Sequence, residues 1–390
     1  MNDFVFENAT RFHFGKNALE AVPAEVGDAK TVMIAYGGGS VKRTGVFDKV
    51  AGPLIEKGKR IVEFGGIMSN PTWAKVLEGA ELARKEQADF IIAVGGGSVM
   101  DCCKMVAVAA VDKDEDLWDK YFVRYAPVDV DPIPLGIVVT AAGTGSEGNG
   151  GAVITNEQTK VKTGADRPAL NARFAIQDPT LTFTVPNSQK AAGGYDIMNH
   201  MMEEYFSYPV GDVIADDLLE ACMGSVVRNL PRALENPEDY QAHANLEWAS
   251  SLAENRVLKS GKATCFECHM IEHAIGAYTD CVHGVGLAAI AGNYYRRIYN
   301  ANDDALFQFG RFAKNVWGID EAGKSAEELA LAGIEALEAW TESLGIARRL
   351  GELGVTEEMI PEIADKVACL PTCFAELTRD DIIAIMRESL

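Results

Sequence analysis

Positive charge is what this sequence has least of. Over 390 residues, 36 lysines and arginines face 57 aspartates and glutamates, leaving a net charge of −21. Nucleic acid binds basic surfaces that replace its counterions, so no nucleic-acid partner is expected. No apolar run approaches the ~20 residues that a membrane-spanning helix needs, so no membrane partner is expected either. The first residues, Met1-Asn2-Asp3-Phe4-Val5-Phe6-Glu7, lack the basic and apolar stretches of a secretory leader. The eight cysteines are scattered rather than crowded into a small domain, which predicts reduced thiols and a cytoplasmic protein. Cys265 and Cys268 form a C-x-x-C with no second pair at zinc-ribbon spacing, and are read as buried thiols.

What is present is enough for two domains, since one core rarely serves more than ~100–200 residues. In the first half, apolar runs at 31–36, 88–94 and 134–140 read as buried strands, and helical periodicity such as that over 72–85 lies between them. Strands alternating with helices imply a parallel sheet covered on both faces. After Pro186 the pattern changes: 216–233 and 325–344 are long, periodic and rich in Ala, Leu and Glu. The expected division is an α/β domain over 1–186 and an all-α domain over 187–390.

Two of the strand-like runs end in one tetrapeptide, Gly37-Gly38-Gly39-Ser40 and Gly95-Gly96-Gly97-Ser98. Glycine lets backbone approach a phosphate, and a following helix offers free N–H groups and the positive end of its dipole. In an open parallel sheet, ligands lie beyond the carboxyl ends of the strands. A third loop, from Thr140 through Gly143 and Thr144 to Glu147, follows the third strand. These loops predict a phosphate or nicotinamide contact, although Gly-Gly-Gly-Ser is not the G-x-G-x-x-G fingerprint and the plain alternative is a tight strand-to-helix turn that needs glycine. The first loop carries Lys42 and Arg43 and no acid for a ribose 2′-hydroxyl, which favours NADP(H) over NAD(H).

Histidine is scarce, with six in the chain, yet four fall in two short segments. Asp196 and His200 are four apart, as are His269 and His273, and His283-Gly284 follows. Residues four apart share a helix face, so carboxylate and imidazoles can converge on one ion. Such donors suit iron(II) or zinc(II).

Taken together these motifs resemble the iron-containing (group III) alcohol dehydrogenase family. Gly95 to Lys104 resembles its G-G-G-S-x-x-D-x-x-K segment, and Asp196, His200, His269 and His283 resemble its D-x-x-x-H…H-x-x-x-H-x(9)-H-G pattern. Asn8-Ala9-Thr10-Arg11, Phe14-Gly15-Lys16 and Asp178-Pro179 also look like family segments, so the resemblance spans nearly the whole chain. The stretch from Tyr36 to Lys42 looks most like the butanol dehydrogenases and NADPH-dependent aldehyde reductases of that family. The resemblance implies a Rossmann-like first domain and a helical second one, as in dehydroquinate synthase-like folds. It implies that Asp196, His200, His269 and His283 bind the metal, Fe2+ or alternatively Zn2+. His273 would lie near nicotinamide and substrate without ligating. Gly95, Gly96, Gly97 and Ser98 would hold the pyrophosphate. Asp101, Thr140, Thr144 and Lys162 would line the cofactor cleft, and Gly38, Gly39 and Ser40 would border the adenosine ribose. Ala141 stands where many relatives carry threonine, and Cys265-Phe266-Glu267-Cys268 departs from the family pattern.

The expected activity is hydride transfer between NAD(P)(H) and a small primary alcohol–aldehyde pair, with the metal as Lewis acid and His273 as the proton-exchanging group. The resemblance also implies a homodimer. The competing readings are a glycerol or polyol dehydrogenase, and a non-catalytic nucleotide-binding protein with a structural metal.

Overall fold

The computed structural model describes residues 1–211, 213–367, 369 and 373–390. Two compact units emerge from the packing. One comprises Glu7–Val185 and Pro237–Asn255; the other comprises Met1–Phe6, Pro186–Asn236 and Arg256–Leu390.

The first unit contains strands β1 (Arg11–Phe14), β2 (Thr31–Tyr36), β3 (Arg60–Phe64), β4 (Phe90–Gly95), β5 (Leu135–Val139), β6 (Gly151–Asn156), β7 (Val161–Asp166) and β8 (Phe174–Gln177). Its first helices are α1 (Val22–Val26), α2 (Ser40–Arg43), α3 (Val46–Glu56), α4 (Trp73–Glu86) and α5 (Gly97–Ala109). Six strands form a parallel sheet in the order β1-β8-β5-β4-β2-β3. β6 and β7 make a separate antiparallel pair.

The sheet follows from side-chain alternation. Met33, Ala35, Ile91, Ala93, Ile137 and Val139 enter one core, while Val32, Ile34, Ile92, Val94, Val138 and Ile176 enter another. Because both faces are covered, the central strands are apolar throughout, as parallel strands must be. Each fully buried Val or Ile contributes roughly 1.5–3 kcal/mol of transfer free energy. Thr72 caps α4 by accepting from the Lys75 N–H.

The chain runs outward from β2 to β3 on one side and from β4 to β5 on the other. The order therefore reverses between β2 and β4, the place where open α/β sheets leave a crevice at their carboxyl ends. The two Gly-Gly-Gly-Ser loops follow these two strands, and the third loop follows β5, the other neighbour of β4.

The described regular structure of the second unit is helical: α6 (Asn187–Tyr205), α7 (Ile214–Glu235), α9 (Glu267–Thr279), α10 (His283–Ile298), α11 (Asp303–Asn315), α12 (Ala326–Ser343), α13 (Ile360–Ala364) and α14 (Arg379–Glu388). Ser325 starts α12 with a reciprocal capping box to Glu328. The remaining helix, α8 (Tyr240–Glu254), packs with the α/β unit. Its Ser250 Oγ accepts the N–H groups of Gly143 and Gly145, each at 3.0 Å, and its Ser251 Oγ donates to Glu147 at 2.5 Å.

Candidate metal centre and nucleotide loops

In the helical unit, α6 carries Asp196 and His200 one turn apart, α9 carries His269 and His273, and α10 opens with His283. Gly284 explains the His-Gly pair: a Cβ there would fall 2.0 Å from the Ala192 carbonyl oxygen, so only glycine lets α10 start against the backbone of α6. Asp196 Oδ1 lies 3.4 Å from His200 Nδ1, 3.6 Å from His269 Nε2 and 3.5 Å from His283 Nε2. These separations exceed ordinary hydrogen bonds. They match the spacing of tetrahedral neighbours around one ion, about 3.4 Å for bonds of about 2.1 Å. Asp196 Oδ1 and His269 Nε2 are both buried with no hydrogen-bond partner among the described residues. The ligand atoms of Asp196, His200 and His269 all lie within 4.8 Å of one another. The donor set therefore fits a divalent first-row ion.

The outer nitrogens are also held. His269 Nδ1 pairs with Glu203 and His283 Nδ1 with Glu272, in both cases at very close range. Each carboxylate fixes the tautomer that leaves Nε2 facing Asp196. Burial alone would raise the Asp196 carboxyl, but His200, His283 and His269 outweigh it and hold the group well below the usual carboxylate range. Burial alone would lower His269, but Glu203 and Asp196 raise it to about 10. His273 is buried, its ring centroid 5.5 Å from that of His283 and 6.4 Å from that of His269.

Glu203 and Glu272 were not foreseen from sequence. Their signal is helical phase: Glu203 stands seven residues after Asp196 and three after His200, and Glu272 three after His269. The reading of Cys265 as a free thiol is corrected. It is disulfide-bonded to Cys373, with Cα atoms 5.2 Å apart, and 108 residues of sequence separation hid the pairing. Cys268 is a buried free thiol, as expected. The other two histidines make structural contacts: His13 pairs with Glu25 at 2.9 Å, and His243 Nδ1 pairs with the Thr182 hydroxyl at 2.6 Å.

In the α/β unit, Gly95 ends β4, Gly96 caps α5 and Gly97 begins it. A Cβ on Gly97 would sit 2.3 Å from Thr144 Oγ1, so the glycine is what allows the second and third loops to touch. Thr140 N–H donates to the Gly95 carbonyl at 3.0 Å, and the Ser98 hydroxyl donates to the Ser69 carbonyl. Asp101 braces the site from within α5, accepting from Ser146 Oγ at 2.6 Å and from Val153 N–H at 2.9 Å. Lys104, one turn further on and fully buried, donates to Ser146 O and Gly151 O at 2.6 Å, Ser146 Oγ at 2.8 Å and Asn149 Oδ1 at 3.2 Å. Gly38 lies in the first loop, where Gly39 caps α2 and Ser40 is its first residue. Lys162 stands on β7 opposite Thr155. The structure thus brings Gly95, Gly96, Gly97, Ser98, Asp101, Thr140 and Thr144 into one connected set, with Gly38, Gly39 and Ser40 at the end of the adjacent strand.

Loops of this kind receive a dinucleotide, and a buried carboxylate among three imidazoles receives a divalent ion; the class is that of metal-dependent oxidoreductases working with a nicotinamide cofactor. Residues 9–179 match the iron-containing alcohol dehydrogenase family and residues 190–390 match the C-terminal region of the Fe-containing alcohol dehydrogenase family. The chain belongs to this family. It is 36% identical to the probable NADH-dependent butanol dehydrogenase 1 of Bacillus subtilis, with all of both chains covered. It is 34% identical to an NADPH-dependent aldehyde reductase of Escherichia coli, over 94% of this chain and 93% of that one. The crystal structure of the NADH-dependent butanol dehydrogenase A of Thermotoga maritima superposes with a TM-score of 0.93 at 35% identity, covering 100% of this chain and 99% of the other. The protein is an NAD(P)-dependent alcohol dehydrogenase or aldehyde reductase with a metal requirement. Among the described residues, no helix is long and apolar enough to cross a membrane.

Proposed function

We propose that the protein interconverts small primary alcohols and aldehydes of the butanol–butyraldehyde type, using iron(II), or alternatively zinc(II), held by Asp196, His200, His269 and His283. The observation that carries this reading is Asp196 Oδ1, buried and 3.4–3.6 Å from one nitrogen of each of three imidazoles. An ion so held supplies Lewis-acid charge to a substrate oxygen, and the nicotinamide carries the hydride. The chain supplies position. Glu203 and Glu272 keep the ligating nitrogens turned inward. His273, buried beside the cluster, is the group proposed to exchange the substrate proton through its imidazole nitrogens. Replacement of His273 by Ala with full turnover and an unchanged pH–rate profile would remove it from that role.

Gly95, Gly96, Gly97 and the backbone of Ser98 are assigned to the pyrophosphate at the start of α5. Asp101, Thr140, Thr144 and Lys162 frame the same cofactor, and Gly38, Gly39 and Ser40 border the adenosine ribose. NADP(H) is the proposed preference over NAD(H), because Lys42 and Arg43 on α2 provide positive charge where no acid occupies the loop. A homodimer, paired through an edge strand of the six-stranded sheet, and a cytoplasmic location complete the proposal.

The test is to purify the protein without oxygen, remove the metal, and follow NADPH and NADH absorbance with butyraldehyde while iron(II) or zinc(II) is added back. Cofactor oxidation that appears only after metal is restored is the expected outcome. Full turnover by the stripped protein would sink the proposed role of the cluster.

A further inference from the structure

The disulfide between Cys265 and Cys373 joins two segments of the helical unit at a sensitive point. Cys265 lies two residues before the start of α9 and four before His269. Its backbone N–H donates to Ser207 Oγ at 2.8 Å, and that hydroxyl donates to the Glu203 carbonyl at 2.6 Å. Glu203 in turn accepts the N–H groups of Cys268 at 2.7 Å and His269 at 3.1 Å, as well as pairing with His269 Nδ1. Between Cys265 and His269, the Phe266 ring centroid lies 5.3 Å from that of His269 and 6.2 Å from that of His200. The opening turn of α9 is therefore gripped by Glu203 on one side and tied by Cys265 to Cys373 on the other.

The far end of the tie has its own support. Phe374 packs edge-on to Tyr208 at 5.1 Å, and its carbonyl accepts from Asn302 Nδ2 at 2.9 Å. Breaking the disulfide would leave the Phe374 end docked, while Cys265 would lose its side-chain tie and keep only its backbone bond to Ser207. The freedom gained falls on the short segment that leads through Phe266 to His269.

We propose that the Cys265–Cys373 disulfide is a thiol-responsive clamp on the metal centre: closed, it holds the first turn of α9 and with it His269; opened by a small-molecule thiol such as glutathione, it weakens metal retention. The exchange is balanced. Two glutathione thiols give up two protons and two electrons and join as a disulfide, the protein S–S bond breaks, and Cys265 and Cys373 take up the protons as thiols. Both cysteines are buried, Cys373 slightly less deeply than Cys265, so attack by the thiol is assigned to the Cys373 sulfur. The proposal rests on the metal-site reading above.

The test uses the full-length protein loaded with cobalt(II), whose visible absorption reports the site directly. Thiols are counted in denaturant, and metal release into excess chelator is timed, for oxidised wild type, glutathione-reduced wild type and a Cys265→Ser/Cys373→Ser double variant. The expected result is six thiols in the oxidised chain and eight in the reduced one, as six free cysteines and eight in all require. Release should be about tenfold faster after reduction, the lower end of what loss of an outer support costs a metal site. The double variant should release at the fast rate under both conditions. Equal release rates in the two redox states would overturn the clamp. So would eight thiols after exhaustive treatment with glutathione disulfide. A second bound ion, lost in the double variant, would also overturn it, making Cys265, Glu267 and Cys373 a metal site of their own. Wild type that holds no cobalt in either state would defeat the metal-site reading itself, and the coupling with it, while the thiol count still reported the bond.

Discussion

Glu203 holds His269 at two places at once: the carboxylate pairs with the imidazole Nδ1 and also accepts the residue's own backbone N–H at 3.1 Å. Ring and backbone are thereby locked together, and Nε2 is left facing Asp196 at 3.6 Å.

Glu203→Gln keeps the size and one acceptor but removes the charge that orients the imidazole. Loss of such an outer carboxylate weakens metal binding by about 10–100-fold. The expected result is a metal dissociation constant raised by that factor in a chelator competition, with the far-ultraviolet circular dichroism unchanged. Unaltered affinity would mean that packing alone orients His269.

Lys104 ties α5 to the third loop through four acceptors and is fully buried. Lys104→Met should cost about 3–5 kcal/mol in a denaturant titration, because buried acceptors and the Asp101 carboxylate lose their cation. The wild-type ammonium is lowered by burial from 10.5 to about 8, with Asp101 and Glu147 pulling it back only in part. Between those values the unfolded chain holds a proton that the folded chain has released. Stability should therefore rise with pH across that window in wild type relative to Lys104→Met, by about 3 kcal/mol in all. A flat difference between pH 7 and pH 10 would show that Lys104 keeps its proton throughout.

Much of this architecture is legible in the sequence, and the gaps have physical causes. β2, β4 and β5 stand out because burial on both faces makes them apolar throughout. β7, Val-Lys-Thr-Gly-Ala-Asp, has no such run, since it pairs in a two-stranded ribbon outside the main sheet. The proposed metal ligands stand out because histidine is rare; Glu203 and Glu272 hide among 57 acidic residues. α8 belongs with the α/β unit because its serines bond to residues about a hundred positions away, a relation that local periodicity does not encode.

Gly97 marks where the second and third loops meet. Gly97→Ala would place a methyl carbon 2.3 Å from Thr144 Oγ1 and 2.9 Å from Thr144 Cβ, too close for rotation of the side chain alone to relieve. The loop must move, at roughly 1–3 kcal/mol of stability. NADPH affinity, read by fluorescence titration, should fall at least tenfold. Thr144→Gly in the same chain should restore part of the loss, since the two effects share one contact. Additive losses would indicate that Gly97 serves the nucleotide by some route other than this contact.

Cofactor preference turns on Lys42 and its neighbour. The Lys42 ammonium pairs with Glu63 on β3, and the Tyr36 hydroxyl donates to the same carboxylate at 2.9 Å. The ammonium also lies 5.3 Å from the Tyr36 ring centroid and 4.9 Å from that of Phe47. If a ribose 2′-phosphate meets Lys42, it competes with Glu63 for that charge. Glu63→Gln should then raise the ratio of kcat/KM for NADPH over NADH by about tenfold, a change of about 1.4 kcal/mol. Lys42→Ala should lower the ratio by a similar factor, since one charge-assisted contact is worth about 1.5–3 kcal/mol. The two substitutions pull in opposite directions from one ion pair, which separates a direct phosphate contact from general loosening of α2. Loosening would depress both cofactors together and leave the ratio where it was.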